Sequence, residues 1–189
     1  MRNLILLALA VSAYAADPVS LLPEGDMARF QFNCDTPGKQ EMGAVTGQSF
    51  TTFTRVSVRK LPKVSYAVNL LCPVVKPVEL GDTLEIDLWA RGEPGEGVSQ
   101  TAIEVVHQLS SIPFAHILYE RIILTDTWTR YRIAYRAHRS YAAETSRIAL
   151  FFGAVAPQTI EVAAVVCKNH GPSVTPESLG IPVFTVPVP

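Results

Sequence analysis

Polar and apolar residues alternate along most of this chain. Arg55-Val56-Ser57-Val58-Arg59 alternates cleanly, and so does Tyr66-Ala67-Val68-Asn69-Leu70 after a turn at Leu61-Pro62-Lys63. A Gly81-Asp82 turn launches Thr83–Arg91, in which Leu84, Ile86, Leu88 and Ala90 form one row and Thr83, Glu85, Asp87, Trp89 and Arg91 the other. Period two is the signature of strands with one buried face. Further strands are predicted at Thr101–Gln108, Ile117–Thr125, Thr129–Arg136, Ser146–Phe152 and Thr159–Cys167. Gly92–Gly97 reads as a loop, because its glycines and Pro94 do not suit an inner strand. Ala142–Arg147 carries at most one helical turn, and no long segment has a 3.6-residue apolar period. The pattern therefore predicts an all-β sandwich or barrel.

The two ends depart from it. Arg2, the apolar run Leu4–Val11 and the small residues of Ala13-Tyr14-Ala15 read as a secretory signal peptide cleaved after Ala15. The run is far shorter than the ~20 residues of a spanning helix. The expected location is secreted or periplasmic. Residues 16–168 form the predicted domain. Residues 169–189 hold Pro172, Pro176, Pro182, Pro187 and Pro189, and read as an extended linker or tail that stays out of the core. Either the protein stops there or the chain is part of a longer enzyme.

Charge narrows the function classes. Removing Arg2 leaves 15 basic residues against 17 acidic ones, a net charge of −2. This balance argues against nucleic acid or an anionic membrane as partner. Cys34, Cys72 and Cys167 fit no metal spacing. Export permits one disulfide with one thiol left over, or all three stay as buried thiols.

Trp89 is the most informative residue, an aromatic ring on a row of carboxylates and a guanidinium. Such a face suits a sugar, whose apolar face stacks on the indole while its hydroxyls bond to the flanking groups. The other reading is that a loop covers this face and Trp89 is ordinary core. The same alternation turns Asn69, Glu104, Gln108, Arg147 and Phe151 outward, so that they and Glu85, Asp87, Trp89 and Arg91 are expected to pave one sheet face as a carbohydrate site. Tyr66 is expected to share the inward row of Val68 and Leu70, and Trp128 to cap the core at a strand start.

Catalytic sets are incomplete. Glu85-Ile86-Asp87-Leu88-Trp89-Ala90 approaches the Glu-x-Asp-x-Glu strand of some glycosidases, but Trp89 or Ala90 stands where the second glutamate belongs. Glu104 is a conceivable second carboxylate from a neighbouring strand. There is no Gly-x-Ser-x-Gly elbow, and His107, His116, His138 and His170 are scattered.

Three segments, in order, carry a resemblance: Pro77–Thr83 running into Leu88-Trp89-Ala90-Arg91, then Leu124–Tyr131, then Ile148–Gly153. Together they resemble the CenC-type carbohydrate-binding modules, families four and nine. The closing Ala156–Val162 is similar to modules that precede bacterial family-ten xylanases. The resemblance spans roughly residues 21–168. It implies a β-sandwich jelly roll, galactose-binding-domain-like, that binds a polysaccharide on its concave sheet, with β-1,4-linked xylan or glucan as first guess. It also implies attachment to a glycoside hydrolase. Members often hold a structural calcium through an Asp in the last strand. Ala163-Ala164-Val165 stands there instead, so no calcium or other cofactor is expected. The alternatives are a glycoside hydrolase in its own right, built on Glu85, Asp87 and Glu104, and a cell-surface adhesion domain.

Overall fold

A computed structural model describes residues 17–35 and 38–181. Residues 1–16, where the signal peptide is expected, and residues 36–37 and 182–189 lie outside the described residues. Eleven strands follow in chain order: β1 (Val19–Ser20), β2 (Gln31–Cys34), β3 (Gly38–Ala44), β4 (Thr52–Val58), β5 (Val68–Pro73), β6 (Thr83–Pro94), β7 (Thr101–Leu109), β8 (His116–Leu124), β9 (Thr129–Arg136), β10 (Ser146–Phe151) and β11 (Gln158–Asn169). Short 3-10 turns stand at Met27–Arg29, Ser65–Ala67 and Pro176–Leu179. Among the described residues there is no α-helix.

The strands form two antiparallel sheets. One has the order β3-β4-β11-β6-β9, with β1 added to β11; the other is β2-β5-β10-β7-β8. Consecutive strands often sit in different sheets, as β5 and β6 do, which is the connectivity of a jelly roll rather than of a simple meander. The chain is an all-β sandwich of this kind.

Alternation places the core between the sheets. Leu84, Ile86, Leu88 and Ala90 of β6 are wholly buried against Ile103 and Val105 of β7 and Ile148 and Leu150 of β10, in one continuous cluster. Each of these leucine, isoleucine and valine side chains stabilises the fold by roughly 1.5–3 kcal/mol through lost contact with water. One polar network sits inside this layer. His107 accepts or donates at both ring nitrogens, with Tyr135 at 2.8 Å and Ser146 at 2.9 Å. Burial drives its pKa down to about 3, so it stays neutral.

Three readings of the sequence need correction. Residues 92–94 are not loop: β6 runs on to Pro94, pairing Gly92, Glu93 and Pro94 with Ile160, Thr159 and Gln158. At that end β6 has lost its other partner, since β9 pairing stops at Ala90, so the missing N–H of Pro94 breaks no ladder. Gly92 is needed there because a Cβ would collide with Thr101.

In β11 the period-two pattern is interrupted. A bulge between Ala163 and Val166 inserts one extra residue, and Ala164 takes a positive φ of 49°. Ile160 and Val162 before the bulge, and Val165 and Cys167 after it, all reach the core.

The segment 169–181 does not stay out of the domain. Thr83 donates to the Gly171 and Val174 carbonyls and Arg136 to the Pro172 carbonyl, while Ile181 is 5% exposed. Proline lacks a donor, but carbonyl groups along this stretch are good acceptors, and that is how the segment is fastened.

Candidate functional site

The outer face of the β2-β5-β10-β7-β8 sheet carries a groove of about 410 Å³. Register builds it in three cross-strand rows. Asn33, Asn69, Phe151, Glu104 and Arg121 stand opposite one another in the first. Gln31, Leu71, Ala149, Val106 and Tyr119 make the second, and Pro73, Arg147, Gln108 and His116 the third. Directly opposed residues of an antiparallel pair share a face. The middle of this face is apolar: Val106, Ala149 and Phe151 form a small cluster with Leu71 packed on it.

Two loops wall the groove. On one side the Ser65–Ala67 turn presents Tyr66, 57% exposed, with its ring 6.1 Å from that of Phe151 in an edge arrangement. Asn69 holds this turn by donating to the Tyr66 carbonyl at 2.6 Å while accepting from Asn33 at 3.2 Å. Gly153 lets the turn lie close: it donates to the Ser65 carbonyl at 3.0 Å, and a Cβ at 153 would stand 2.5 Å from that oxygen. On the other side the β7–β8 loop supplies Phe114. Its backbone has φ 54°, a conformation aromatic residues rarely adopt, and the Arg147 guanidinium lies over its ring at 5.0 Å. His116 stacks on Tyr119 at 5.3 Å.

The polar groups of this face are few and fixed. The Gln108 amide, oriented by its hydrogen bonds, accepts from Arg147 Nη2 at 2.9 Å and Nε at 3.0 Å. Glu104 is 4% exposed, and its Oε2 has no hydrogen-bond partner among the described residues. Burial first, and a hydrogen bond to Glu104 second, push the Tyr119 hydroxyl upward, so it stays protonated as a donor.

The expected site residues therefore divide. Asn69, Gln108, Arg147 and Phe151 line the groove, and Glu104 lies on the same face beside Phe151. Glu85, Asp87, Trp89 and Arg91 do not join them. They project from β6 on the far side of the sandwich, because alternation in each sheet turns away from one shared core. The expectation of a single paved face is corrected accordingly. Tyr66 is corrected too: it precedes β5 in a separate turn and faces the groove.

The β6 face is internally satisfied. Glu85 pairs with Arg132 at 2.7 Å and His170 at 2.8 Å, Asp87 with Arg130, and Glu161 with both Arg55 and Arg91. Glu85 is 2% exposed; burial raises its pKa, but hydrogen bonds from Arg132 and His170 outweigh it and hold the group below the usual range. Trp89 is half-buried, 5.7 Å from the Phe50 ring, and Phe50 in turn meets Trp128 at 4.9 Å. Trp128 thus belongs to this outer cluster with Phe53 and Ala163, not to the main core. Glu85 and Asp87 lie on one face and Glu104 on the other, so Glu104 cannot pair with either of them across a sugar.

Tyr66, Leu71, Phe114, His116 and Tyr119 line the groove and were not singled out by the sequence. Tyr119 was within reach, since it alternates with Leu118 along β8. Phe114 and Tyr66 stand on loops, where periodicity carries no directional information.

No protein-family model matches the chain, and no curated protein matches it. Solved structures do. A CBM4 carbohydrate-binding module is 15% identical with a TM-score of 0.58, over 75% of this chain and 95% of that one. The CBM22-1 xylan-binding domain of Paenibacillus barcinonensis Xyn10C is 14% identical with a TM-score of 0.52, over 84% of this chain and 97% of that one. The CBM22-1–GH10 modules of the Clostridium thermocellum xylanase Xyn10B, complexed with xylohexaose, are 12% identical with a TM-score of 0.51, over 80% of this chain and 28% of that one. At these identities the likeness is one of fold.

Proposed function

We propose that this protein is a non-catalytic module that binds a polysaccharide in the groove of the β2-β5-β10-β7-β8 sheet. The observation that carries the reading is the groove's lining: aromatic rings at Tyr66, Phe114, Tyr119 and Phe151 around fixed polar groups at Asn69, Gln108 and Arg147. The exposed rings of Tyr66, Phe114 and Tyr119 suit stacking on pyranose faces above the buried Phe151 floor, and amide and guanidinium groups bond to hydroxyls in a plane. The fold shared with carbohydrate-binding modules supports the same reading. Sequence motifs favour the CenC-type families, with a β-1,4-linked xylan or glucan as the first candidate, and the xylan-binding domain and the xylohexaose complex among the neighbours support xylan. On this reading the protein is secreted and acts beside a glycoside hydrolase.

Affinity electrophoresis in gels containing xylan, mixed-linkage glucan or other soluble glycans tests it. Retardation in at least one gel is expected, weakened about tenfold or more by Tyr66→Ala or Phe114→Ala. Folded protein that migrates freely in every gel would sink the proposal.

A further inference from the structure

We infer that the groove takes an acidic polysaccharide, with the Arg147 guanidinium receiving a carboxylate or sulfate substituent of the sugar chain. This rests on the polysaccharide reading and names the class of glycan. Charge placement is the starting point. On the opposite face Arg55, Arg91, Arg130 and Arg132 each pair with a carboxylate. Arg147 forms no ion pair among the described residues. It is only partly exposed, and burial lowers its pKa, the mark of a cation that has lost water without gaining a counter-ion.

Among the described residues the groove supplies no such counter-ion. None of the side chains lining it is a carboxylate. Glu104 shares the sheet face, but it opposes Phe151 while Arg147 opposes Gln108, four residues further along β7. That offset is roughly 13 Å of strand.

What holds Arg147 also aims it. A guanidinium has five N–H donors. The Nε and one Nη2 hydrogen go to Gln108, and the Phe114 ring covers one face. The Nη1 side keeps its donors, and Nη1 and Nη2 together present the edge that matches the two oxygens of a carboxylate or sulfate. Gln108 and Phe114 fix the side chain beforehand, so little freedom is lost on binding. A neutral glycan would leave this charge desolvated and unpaired.

The test uses calorimetry with glucuronoxylan, polygalacturonate, alginate and a sulfated galactan, each beside its carboxyl-reduced or desulfated form. At least one acidic polymer should bind about tenfold or more tightly than its neutral form, and Arg147→Gln should lower that affinity by a similar factor. Arg147→Lys keeps the charge without the fork and should fall between. Thermal melts confirm that the variants fold. The uronate and sulfate arms separate the two anions. Equal binding of parent and neutralised forms in every pair overturns the inference and leaves polysaccharide binding standing. So does tight acidic binding that Arg147→Gln does not weaken. No binding to any polymer overturns both.

Discussion

Trp89 and Phe151 project from opposite outer faces of the sandwich. Each alternates with core residues, Trp89 with Leu88 and Ala90 on β6, and Phe151 with Leu150 and Phe152 at the end of β10. Their surroundings differ in kind. Trp89 packs into a closed aromatic cluster with Phe50, and Phe151 floors an open groove beneath Tyr66. The same sequence signal, an aromatic ring out of phase with the core, thus has two structural meanings in one chain.

The first prediction separates them. Trp89→Ala should cost about 1–3 kcal/mol of stability through lost packing with Phe50, measured by denaturant unfolding, while glycan affinity changes little. A Trp89→Ala variant that loses binding but keeps its stability would move the site to the β6 face.

Gly153 should matter to binding at a distance from the ligand. Gly153→Ala places a Cβ against the Ser65 carbonyl and Pro62 and displaces the turn that carries Tyr66. Glycan affinity should fall several-fold. A crystal structure of the variant should show the Tyr66 turn shifted, and an unmoved turn with full affinity contradicts the account.

His107 predicts a pH dependence of stability. Its pKa is about 3 in the folded protein and about 6.5 when unfolded, so below 6.5 the unfolded state binds a proton that the folded state does not. Its stabilisation is complete above 6.5 and is lost as pH falls toward 3. Between pH 7 and pH 5 the loss is about 2 kcal/mol. Glu85, with a depressed pKa, adds its own loss only at lower pH, below the ordinary carboxylate value. Urea midpoints across pH 5–7 read the His107 contribution. Constant midpoints would exclude it.

Glu161 joins β4, β11 and β6 through its pairs with Arg55 and Arg91. Both arginines are partly exposed, which screens the interaction. Glu161→Gln should cost about 1–2 kcal/mol in thermal unfolding at low salt, and less at high salt.

Burial pushes the Cys167 thiol up to about 12 and raises Cys72 as well. Neither should react with a maleimide at pH 8 while the protein is folded, and both should react in urea. Mass spectrometry of tryptic peptides distinguishes the sites. Rapid labelling of Cys167 in native buffer would show that the core opens there.

The sequence by itself determined the strands and their inward rows. Leu84, Ile86, Leu88 and Ala90, and Ile148, Leu150 and Phe152, are all wholly buried as period two predicts, because a pleated backbone admits only two faces. It also determined that Asn69, Gln108, Arg147 and Phe151 point outward. Only the tertiary structure decided which outward faces coincide. Alternation assigns each residue to a side of its own strand and says nothing about which sheet that strand joins. β10 pairs with β5 and β7, while β6 pairs with β9 and β11, and that choice sent Trp89 away from Arg147. The aromatic walls at Tyr66 and Phe114 depend on turn geometry and on close approach at Gly153, which are set by contacts distant in the chain. The bulge at Ala163–Val166 was hidden for the same reason: one extra residue in β11 makes sense only against the strand beside it.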